Sequence, residues 1–185
     1  MPVHDERGDV GAGDLIMAET EPFGELVAFP ALGESELGNL ASRIAMACAP
    51  GDVLCLFGDL GAGKTSFARA FIRTLTTPDQ EVPSPTFTLA QLYETGDSLD
   101  SLVIWHVDLY RLSEAEEIWE LGLEDAFSEA VVLIEWPGRA LELLPVKRLE
   151  LHLGICDKSM ERSVALRGCG RWADRLRGRI DARVF

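Results

Sequence analysis

Short, continuous apolar runs recur along the chain and are separated by segments in which apolar residues repeat at helical spacing. Runs of this length without alternation are typical of strands that are buried on both faces of a sheet. They lie at residues 25–29, 53–57, 102–108 and 130–135. Strands that alternate with helices predict an α/β fold with a mainly parallel central sheet, and the length of 185 residues predicts a single domain.

The predicted helices are segments in which apolar residues return every three or four positions. They lie at residues 35–48, 66–75, 113–122 and 172–180. Ser35 is the expected N-cap of the first helix, and Ser113 with Glu116 forms a capping-box pattern at the start of the third. Pro50 and Pro78 follow the first two helices, where a proline ends helical structure.

Strict alternation of apolar and polar residues marks the stretch from Arg148 to Ile155. This pattern predicts a half-exposed antiparallel strand. Residues 163–166 are expected to pair with it, which places antiparallel strands towards the C-terminal edge of the sheet. His152 falls on the polar side of the alternation and is expected to be solvated rather than to bind a ligand.

The segment between the strand at 53–57 and the helix at 66–75 matches the phosphate-binding P-loop pattern G-x-x-x-x-G-K-[ST] without a mismatch. Its glycines permit a concave cradle of backbone N–H groups for anions. Lys64 supplies a cation for the β- and γ-phosphates, and the Thr65 hydroxyl is a ligand for Mg²⁺. Strand, loop and helix in this order predict a three-layer fold of the P-loop NTPase type. The predicted nucleotide-binding residues are Gly58, Asp59, Leu60, Gly61, Ala62, Gly63, Lys64, Thr65 and Ser66.

Two of the predicted strands end on a carboxylate, Asp108 and Glu135. P-loop enzymes place an acid at the end of a neighbouring strand to hold Mg²⁺ near the phosphates. An acid at a strand end for simple solvation is also common, but two such acids favour a functional pair. One of them is expected to bind the metal and the other to orient or activate the attacking water, and the sequence leaves open which does which.

Two prolines flank Ser84 in the segment 81–89 and predict a stiff loop, because each proline also restricts the residue before it. An ordinary proline turn is one interpretation. The other is a switch-like loop in which the hydroxyl of Ser84 or Thr86 reaches the terminal phosphate or its metal.

The chain is acidic, with a formal net charge of -14 at pH 7, but the charge is uneven. From Glu161 onward there are seven arginines and three acids. An acidic body argues against nucleic acid wrapping the whole surface. The arginine stripe Arg171, Arg175 and Arg179 either belongs to a terminal helix packed through Trp172, where the helix dipole favours cations, or forms a surface for RNA or an acidic partner.

Four cysteines without C-x-x-C spacing and only three histidines argue against a zinc site. The N-terminal stretch lacks a basic, apolar leader, and nowhere do about 18 apolar residues run together. The sequence therefore predicts a reduced, cytoplasmic protein that does not enter the membrane. The predicted organisation is a flexible acidic extension at 1–22, a single P-loop domain at 23–176 and a basic tail at 177–185.

Four motifs in this order together resemble the TsaE family of bacterial P-loop ATPases. They are GDLGAGKT at 58–65, SPTFTL at 84–89, HVDLYRL at 106–112 and EWP at 135–137. The resemblance covers about residues 26–176. It implies a P-loop fold and a role in making N6-threonylcarbamoyladenosine at position 37 of tRNA.

The resemblance also implies partners and residue roles. ATP hydrolysis would reset a heterodimer of two actin-like proteins, TsaD and TsaB, between rounds of modification, and tRNA would be contacted indirectly or through the arginine-rich tail. Carried over by position, the implied roles are phosphate binding and catalysis for Lys64, Mg²⁺ binding for Thr65 and Glu135, hydrolysis for Asp108, proximity to the nucleotide for Trp136, and a switch-like loop for Ser84 and Thr86.

Other P-loop classes differ in their motifs. The base-reading motif N-K-x-D of Ras-type GTPases is absent, since the single asparagine, Asn39, lies upstream of the P-loop, and this favours ATP over GTP. The L-S-G-G-Q stretch of transporter ATPases is also absent. A small-molecule kinase is the main alternative, although the acidic core offers few arginines for two phosphoryl groups. A nucleotide-gated binding module is the third interpretation.

Overall fold

One mixed sheet carries the fold in the computed structural model, which describes residues 26–96, 101–156 and 160–179. Its strands within these residues are β1 (Leu26–Leu32), β2 (Val53–Phe57), β3 (Ala90–Glu94), β4 (Val103–Asp108), β5 (Val131–Glu135), β6 (Leu149–Ile155) and β7 (Arg162–Gly168). They are arranged in the spatial order β1-β7-β6-β2-β5-β4-β3. The strand that leads into the P-loop, β2, therefore lies at the centre of the sheet.

The centre of the sheet is parallel, since β6, β2, β5 and β4 run in the same direction. The antiparallel strands β7 and β1 extend the edge beyond β6. This arrangement confirms the fold class predicted from the sequence. The antiparallel prediction for β6 itself is only half right, because β6 pairs parallel with β2 on one side and antiparallel with β7 on the other.

Strand β3 pairs antiparallel with β4 at the opposite edge, and no apolar pattern predicts it. Tyr93 is its only buried residue, as is typical of a short edge strand that packs little of its surface. At the other edge, β1 continues past Pro30, where the sequence suggests an end. Its pairing with β7 is irregular between Phe29 and Leu32. An edge strand tolerates a proline because one side of its backbone has no strand partner.

The helices are α1 (Glu34–Ala45), α2 (Lys64–Leu75), α3 (Leu123–Glu129) and α4 (Arg171–Arg179). The predicted N-cap of α1 at Ser35 is wrong. The N-cap is Gly33, whose N–H donates to the Glu36 carboxylate at 2.7 Å. The acidic carboxylate thus performs the capping from inside the first turn of the helix.

The capping box predicted at Ser113 lies one residue later, at Glu114 and Glu117, and opens a 3₁₀ helix over Ala115–Leu121. Gly122 ends this helix in the left-handed conformation, with φ 76°. Helix α3 begins directly afterwards, and the sequence patterns do not predict it. With seven residues it is too short to show a clear apolar periodicity.

Alternate residues of the central strands face two apolar clusters, one on each side of the sheet. On one side, Leu54 and Leu56 of β2 belong to a cluster with α1, α2 and the buried Trp172 of α4. On the other, Val53 and Cys55 belong to a cluster with α3 and the preceding 3₁₀ helix. Burial raises the pKa of Cys55 to about 12, so this thiol behaves as a small apolar side chain. These layers hold β2, and with it the start of the P-loop, in a fixed position.

Helix α4 is tied to the residue before β2 by ion pairs. Arg171 Nε lies 3.1 Å and Arg175 Nη1 lies 2.5 Å from the carboxylate of Asp52, which is 1% exposed. Trp172 and Leu176 of the same helix are buried. The contacts support the structural interpretation of the arginine stripe, because two of its arginines neutralise a buried carboxylate.

The described residues include no helix that combines the length and hydropathy needed to cross a membrane. The predicted extension at 1–22 lies outside the described residues. Helix α4 runs on through Arg179 into the predicted tail at 177–185, and residues 180–185 lie outside the description as well.

Candidate functional site

The P-loop leaves the end of β2 with three glycines in conformations that side chains rarely adopt. Gly58 has φ 143°, Gly61 φ 80° and Gly63 φ 103°. At Gly58 space is also limiting, because a Cβ atom would lie 2.4 Å from the carbonyl oxygen of Leu153 in β6. The loop therefore requires glycine at position 58 both for its backbone conformation and for its packing against the neighbouring strand.

Lys64 begins α2, and its ammonium group bends back over the loop. Nζ donates to the carbonyl oxygens of Gly58 at 2.7 Å and Asp59 at 2.9 Å. It also lies 3.8 Å from the centroid of the Trp136 ring. Burial lowers the pKa of Lys64, and the nearby carboxylates oppose this effect only in part. A bound anion would favour the charged ammonium and so compensate for its burial.

Glu135 ends β5 beside the first turn of α2 and is 2% exposed. Thr65 Oγ1 lies 2.8 Å from Oε1 and 3.0 Å from Oε2 of this carboxylate. The fully buried His106 of β4 approaches from another side, with Nε2 2.9 Å from Oε1. The Glu135 carboxylate is thus held by both the P-loop helix and the neighbouring strand.

Asp108 pairs in register with Glu135 on the adjacent parallel strand, but its carboxylate contacts the loop that contains the two prolines. Thr86 Oγ1 donates to Asp108 Oδ2 at 2.5 Å, and Ser84 Oγ lies 3.3 Å from the same oxygen. The backbone N–H of Tyr110 donates to Oδ1 at 2.9 Å. An ordinary proline turn would not need these contacts, so they favour the switch-like interpretation of the loop.

Most of the residues singled out from the sequence line one cleft of about 260 Å³. They are Leu60, Gly61, Gly63, Lys64, Thr65, Ser66, Ser84, Thr86, Asp108, Glu135 and Trp136. Three predicted nucleotide-binding residues are not part of this lining. Gly58 and Asp59 offer backbone carbonyls to Lys64, and Ala62 is fully buried.

Trp136 forms one wall of the cleft from an unusual backbone conformation. Its φ of 57° places a bulky residue in the left-handed region, which costs about 1–3 kcal/mol. The indole ring lies 5.0 Å from the ring of Tyr110, centroid to centroid, and beneath the Lys64 ammonium. Strain of this kind is typical of residues that a functional site holds in place.

Three further residues were not predicted as site residues: Tyr110, which lines the cleft, and His106 and Arg162, which contact residues that line it. His106 is a polar residue within an apolar strand, two positions before Asp108 and hence on the same face. That signal was available in the sequence. Arg162 begins β7 and donates from Nη2 to the carbonyl oxygen of Gly61 at 3.2 Å, across 101 positions of sequence. No local pattern encodes such a contact.

The donor atoms of the cleft suit a hard divalent cation. Mg²⁺ prefers oxygen ligands and usually keeps several waters. The cleft offers the Thr65 hydroxyl and two carboxylates, those of Glu135 and Asp108. In the described part of the chain, no three His, Cys, Asp or Glu side chains come together as a closed metal cage. The residues therefore fit Mg²⁺ that is bound together with phosphate oxygens and water.

The sheet order, the glycine loop and the cleft define an α/β protein of the P-loop NTPase type. A family model described as threonylcarbamoyl adenosine biosynthesis protein TsaE matches residues 32–164. The chain belongs to the TsaE family, as the motifs in its sequence predict.

Relatives named tRNA threonylcarbamoyladenosine biosynthesis protein TsaE are similar to most of the chain. The one from Rickettsia felis is 40% identical over 126 residues, which are 68% of this chain and 71% of the relative. The one from Bacillus subtilis is 41% identical over 117 residues, which are 63% and 70% of the two chains. The crystal structure of Bacillus subtilis YdiB matches with a TM-score of 0.66 at 31% identity, over 82% of this chain and 91% of that one.

Proposed function

We propose that this protein is a Mg²⁺-dependent ATPase that acts as an energy-coupling partner in the formation of N6-threonylcarbamoyladenosine on tRNA. One observation carries the proposal: two hydroxyl–carboxylate pairs converge on the cleft beside Lys64. They are Thr65 with Glu135 and Thr86 with Asp108. Membership of the TsaE family supports the pathway, and the absence of a guanine-reading motif favours ATP.

Phosphate binding is assigned to the P-loop and the start of α2. Backbone N–H groups of a glycine loop and the positive end of a helix dipole both favour anions. The Lys64 ammonium, which the carbonyls of Gly58 and Asp59 hold at the loop, is the cation for the β- and γ-phosphates. The loop itself therefore keeps this ammonium beside the phosphate-binding segment before a nucleotide binds.

Metal binding is assigned to Thr65 and Glu135. When bound, Mg²⁺ would neutralise negative charge on the β- and γ-phosphates. The Thr65 hydroxyl and the Glu135 carboxylate lie within 3.0 Å of each other, so both reach the same point at the start of α2. This contact favours Glu135 over Asp108 as the carboxylate nearest the metal.

Water activation is assigned to Asp108. Asp108 lines the cleft, and its Oδ2 accepts the Thr86 hydroxyl. The same oxygen would accept a proton from, or orient, the water that attacks the γ-phosphate. Since Thr86 shares this oxygen, the position of the switch-like loop and the reactivity of Asp108 are linked.

The proposed output is a conformational signal to a TsaD–TsaB heterodimer. Phe87 follows Thr86 in the loop, is 81% exposed, and lies 4.2 Å from the guanidinium of Arg111. Leu60 at the P-loop is 78% exposed. The P-loop and the switch-like loop thus each present an exposed apolar side chain that a partner would contact. We expect the protein to act in the cytoplasm, with tRNA contacted indirectly or through the arginine-rich tail.

The fate of the γ-phosphate distinguishes hydrolysis from a kinase reaction. Incubation with γ-labelled ATP and Mg²⁺ is expected to give free phosphate, slowly for the protein alone and faster with the TsaD–TsaB pair. Label on a small metabolite would instead establish the kinase alternative. The cleft residues argue against that outcome, because Lys64 is the one cationic side chain that lines the described cleft.

Reconstituted tRNA modification tests the coupling role. Multiple turnovers are expected with the wild-type chain and are expected to be lost with Lys64→Ala. Lys147→Ala is the matched control, since it removes an exposed lysine outside the cleft. Multiple turnovers in the absence of this chain, or equal rates for the two variants, would contradict the proposal.

A further inference from the structure

We propose that His106 is a positioning residue that orients the Glu135 carboxylate for Mg²⁺. The inference rests on the proposed function, because it assigns a role towards the metal of that same site. The motif HVDLYRL at 106–112 includes His106 but does not by itself assign this histidine a task. Its place in the structure does, since its one hydrogen-bond partner among the described residues is Glu135.

The hydrogen bond to Glu135 requires a proton on Nε2 of His106. Nε2 lies 2.9 Å from Glu135 Oε1, and an ionised carboxylate only accepts hydrogen bonds. Nε2–H is therefore the donor to this carboxylate. Nδ1 is buried and has no partner in the described structure. The hydrogen bond to Glu135 is thus the only one that this ring makes among the described residues.

Because His106 is buried, a histidine without a hydrogen-bond partner at this position would destabilise the fold. The side chain is fully buried in β4, and its register partner on β5 is the apolar Leu133. A buried polar atom without a partner destabilises a fold by about 1–3 kcal/mol. An apolar ring would fill the same space without that cost, so the hydrogen bond to Glu135 is the feature that requires a histidine here.

The contact matters most when a metal takes the Thr65 hydroxyl. In the present structure Thr65 Oγ1 lies within 3.0 Å of both oxygens of Glu135. Once that hydroxyl turns to a metal, His106 is the group in the described chain that still holds the carboxylate. It holds Oε1, whereas Oε2 accepts only from Thr65 among the described residues. Hydrogen-bond partners of metal ligands commonly tune affinity in this way.

A second histidine–glutamate pair supplies a matched control. His152 Nε2 lies 3.2 Å from Glu150 Oε2, and its side chain is 41% exposed. Its ring stacks on Phe57 with centroids 4.5 Å apart, and neither His152 nor Glu150 lines the cleft. His152→Phe removes a comparable hydrogen bond and keeps the stacked ring.

The experiment measures ADP affinity by calorimetry with MgCl₂ and with EDTA. The readout is the factor by which Mg²⁺ tightens binding, which does not depend on turnover. His106→Phe is expected to reduce this factor about 10- to 100-fold while the affinity in EDTA stays within twofold. His106→Gln, which keeps an N–H donor near the Nε2 position, and His152→Phe are expected to retain the wild-type factor.

Each result has a defined meaning. A purely structural role of His106 would weaken ADP binding equally in both buffers. A full Mg²⁺ factor in His106→Phe would overturn the inference. The proposed function would still stand in that case if Glu135→Ala abolishes the factor. A wild-type protein without any Mg²⁺ factor would overturn the metal site itself. If His106→Phe does not fold, His106→Asn replaces it, because the shorter asparagine amide does not reach Glu135. Equal Mg²⁺ factors for His106→Asn and His106→Gln would then overturn the inference.

Discussion

Glu135 and Asp108 end neighbouring parallel strands and are paired in register, but different parts of the chain hold them. Glu135 accepts hydrogen bonds from Thr65 of the P-loop helix and from His106 within the sheet. Asp108 accepts them from Thr86 and from a backbone N–H in the segment that follows β4. Both carboxylates are 2% exposed, so burial does not distinguish them.

The difference in partners separates a fixed region from a responsive one. The partners of Glu135 belong to α2 and β4, which are packed in the core. The side-chain partners of Asp108 belong to a loop that includes the highly exposed Phe87. Loops of this kind open locally at lower free energy than core elements do. We therefore expect Glu135 to govern binding and Asp108 to govern turnover in response to the loop.

Asp108→Asn has the largest expected effect. The amide keeps the shape of the side chain but is a poor proton acceptor, so ATP turnover should fall about 10²- to 10⁴-fold. Affinity for ADP with Mg²⁺ should change little. Single-turnover kinetics and calorimetry measure the two quantities, and Asp125→Asn on α3 is an exposed control. Equal losses of affinity and turnover would remove the proposed distinction between the carboxylates.

Glu135→Gln should show the reverse pattern. Loss of a charged ligand is expected to weaken the Mg²⁺-dependent part of ADP binding by about 100-fold, the upper end of the effects seen for groups around metal ligands. Titration of MgCl₂ at fixed ADP measures it. Asp108→Asn is the internal control and should keep the Mg²⁺ dependence. A stronger effect in Asp108→Asn than in Glu135→Gln would exchange the two roles.

Thr86→Val should loosen the switch-like loop while the P-loop stays protected. The lost hydrogen bond has a charged acceptor and is worth about 1.5–3 kcal/mol, so backbone amides of the loop should exchange at least about tenfold faster. Ser84→Ala should have a smaller effect, because its hydroxyl lies 3.3 Å from Asp108 rather than 2.5 Å. Hydrogen exchange with mass spectrometry compares the variants. Faster exchange that extends into α2 would show that the two regions are not separable.

The smallest expected effect concerns Lys64 and alkaline pH. Burial lowers the pKa of Lys64 below the usual 10.5, so the free protein loses this charge earlier than an ordinary lysine would. ADP affinity should therefore fall several-fold as the pH rises towards 10.5. Lys64→Arg should remove that dependence, since a guanidinium does not titrate in this range. An identical slope in both proteins would assign the effect to another group.

The lowered pKa of Lys64 has the opposite effect on the free energy of unfolding. A lysine whose pKa is lower in the folded state binds fewer protons there than in the unfolded chain. Its contribution to the free energy of unfolding of the ligand-free protein therefore rises as the pH rises from the lowered pKa towards 10.5. Binding and stability should respond to alkaline pH in opposite directions, and chemical denaturation of wild type and Lys64→Arg measures this.

Local sequence patterns predict most of the fold and the main elements of the candidate site. The apolar run at 53–57 coincides with β2. The two runs that end at Asp108 and Glu135 correspond to β4 and β5, which end at the same residues. These features are encoded by consecutive residues, so composition and spacing reveal them. The P-loop motif is likewise local, and the glycines occupy the backbone conformations that explain their presence.

Features that depend on distant partners could not be predicted in the same way. Edge strand β3 buries one residue, and α3 is too short for a clear period. The contact of His106 with Glu135 depends on the alignment of β4 with β5, and that of Arg162 with Gly61 on the placement of β7. Register between strands is set by the whole sheet, whereas a motif reports only its own segment.

The ion pairs of the buried Asp52 can form only after the C-terminal helix α4 has been synthesised. Its partner Arg175 lies 123 residues later, although Asp52 directly precedes the strand that leads into the P-loop. A chain still on the ribosome would hold this carboxylate without its counter-ions until α4 emerged. Contacts of such high sequence separation slow folding. We therefore expect the strand that leads into the P-loop to reach its final, fixed position only after α4 has been synthesised.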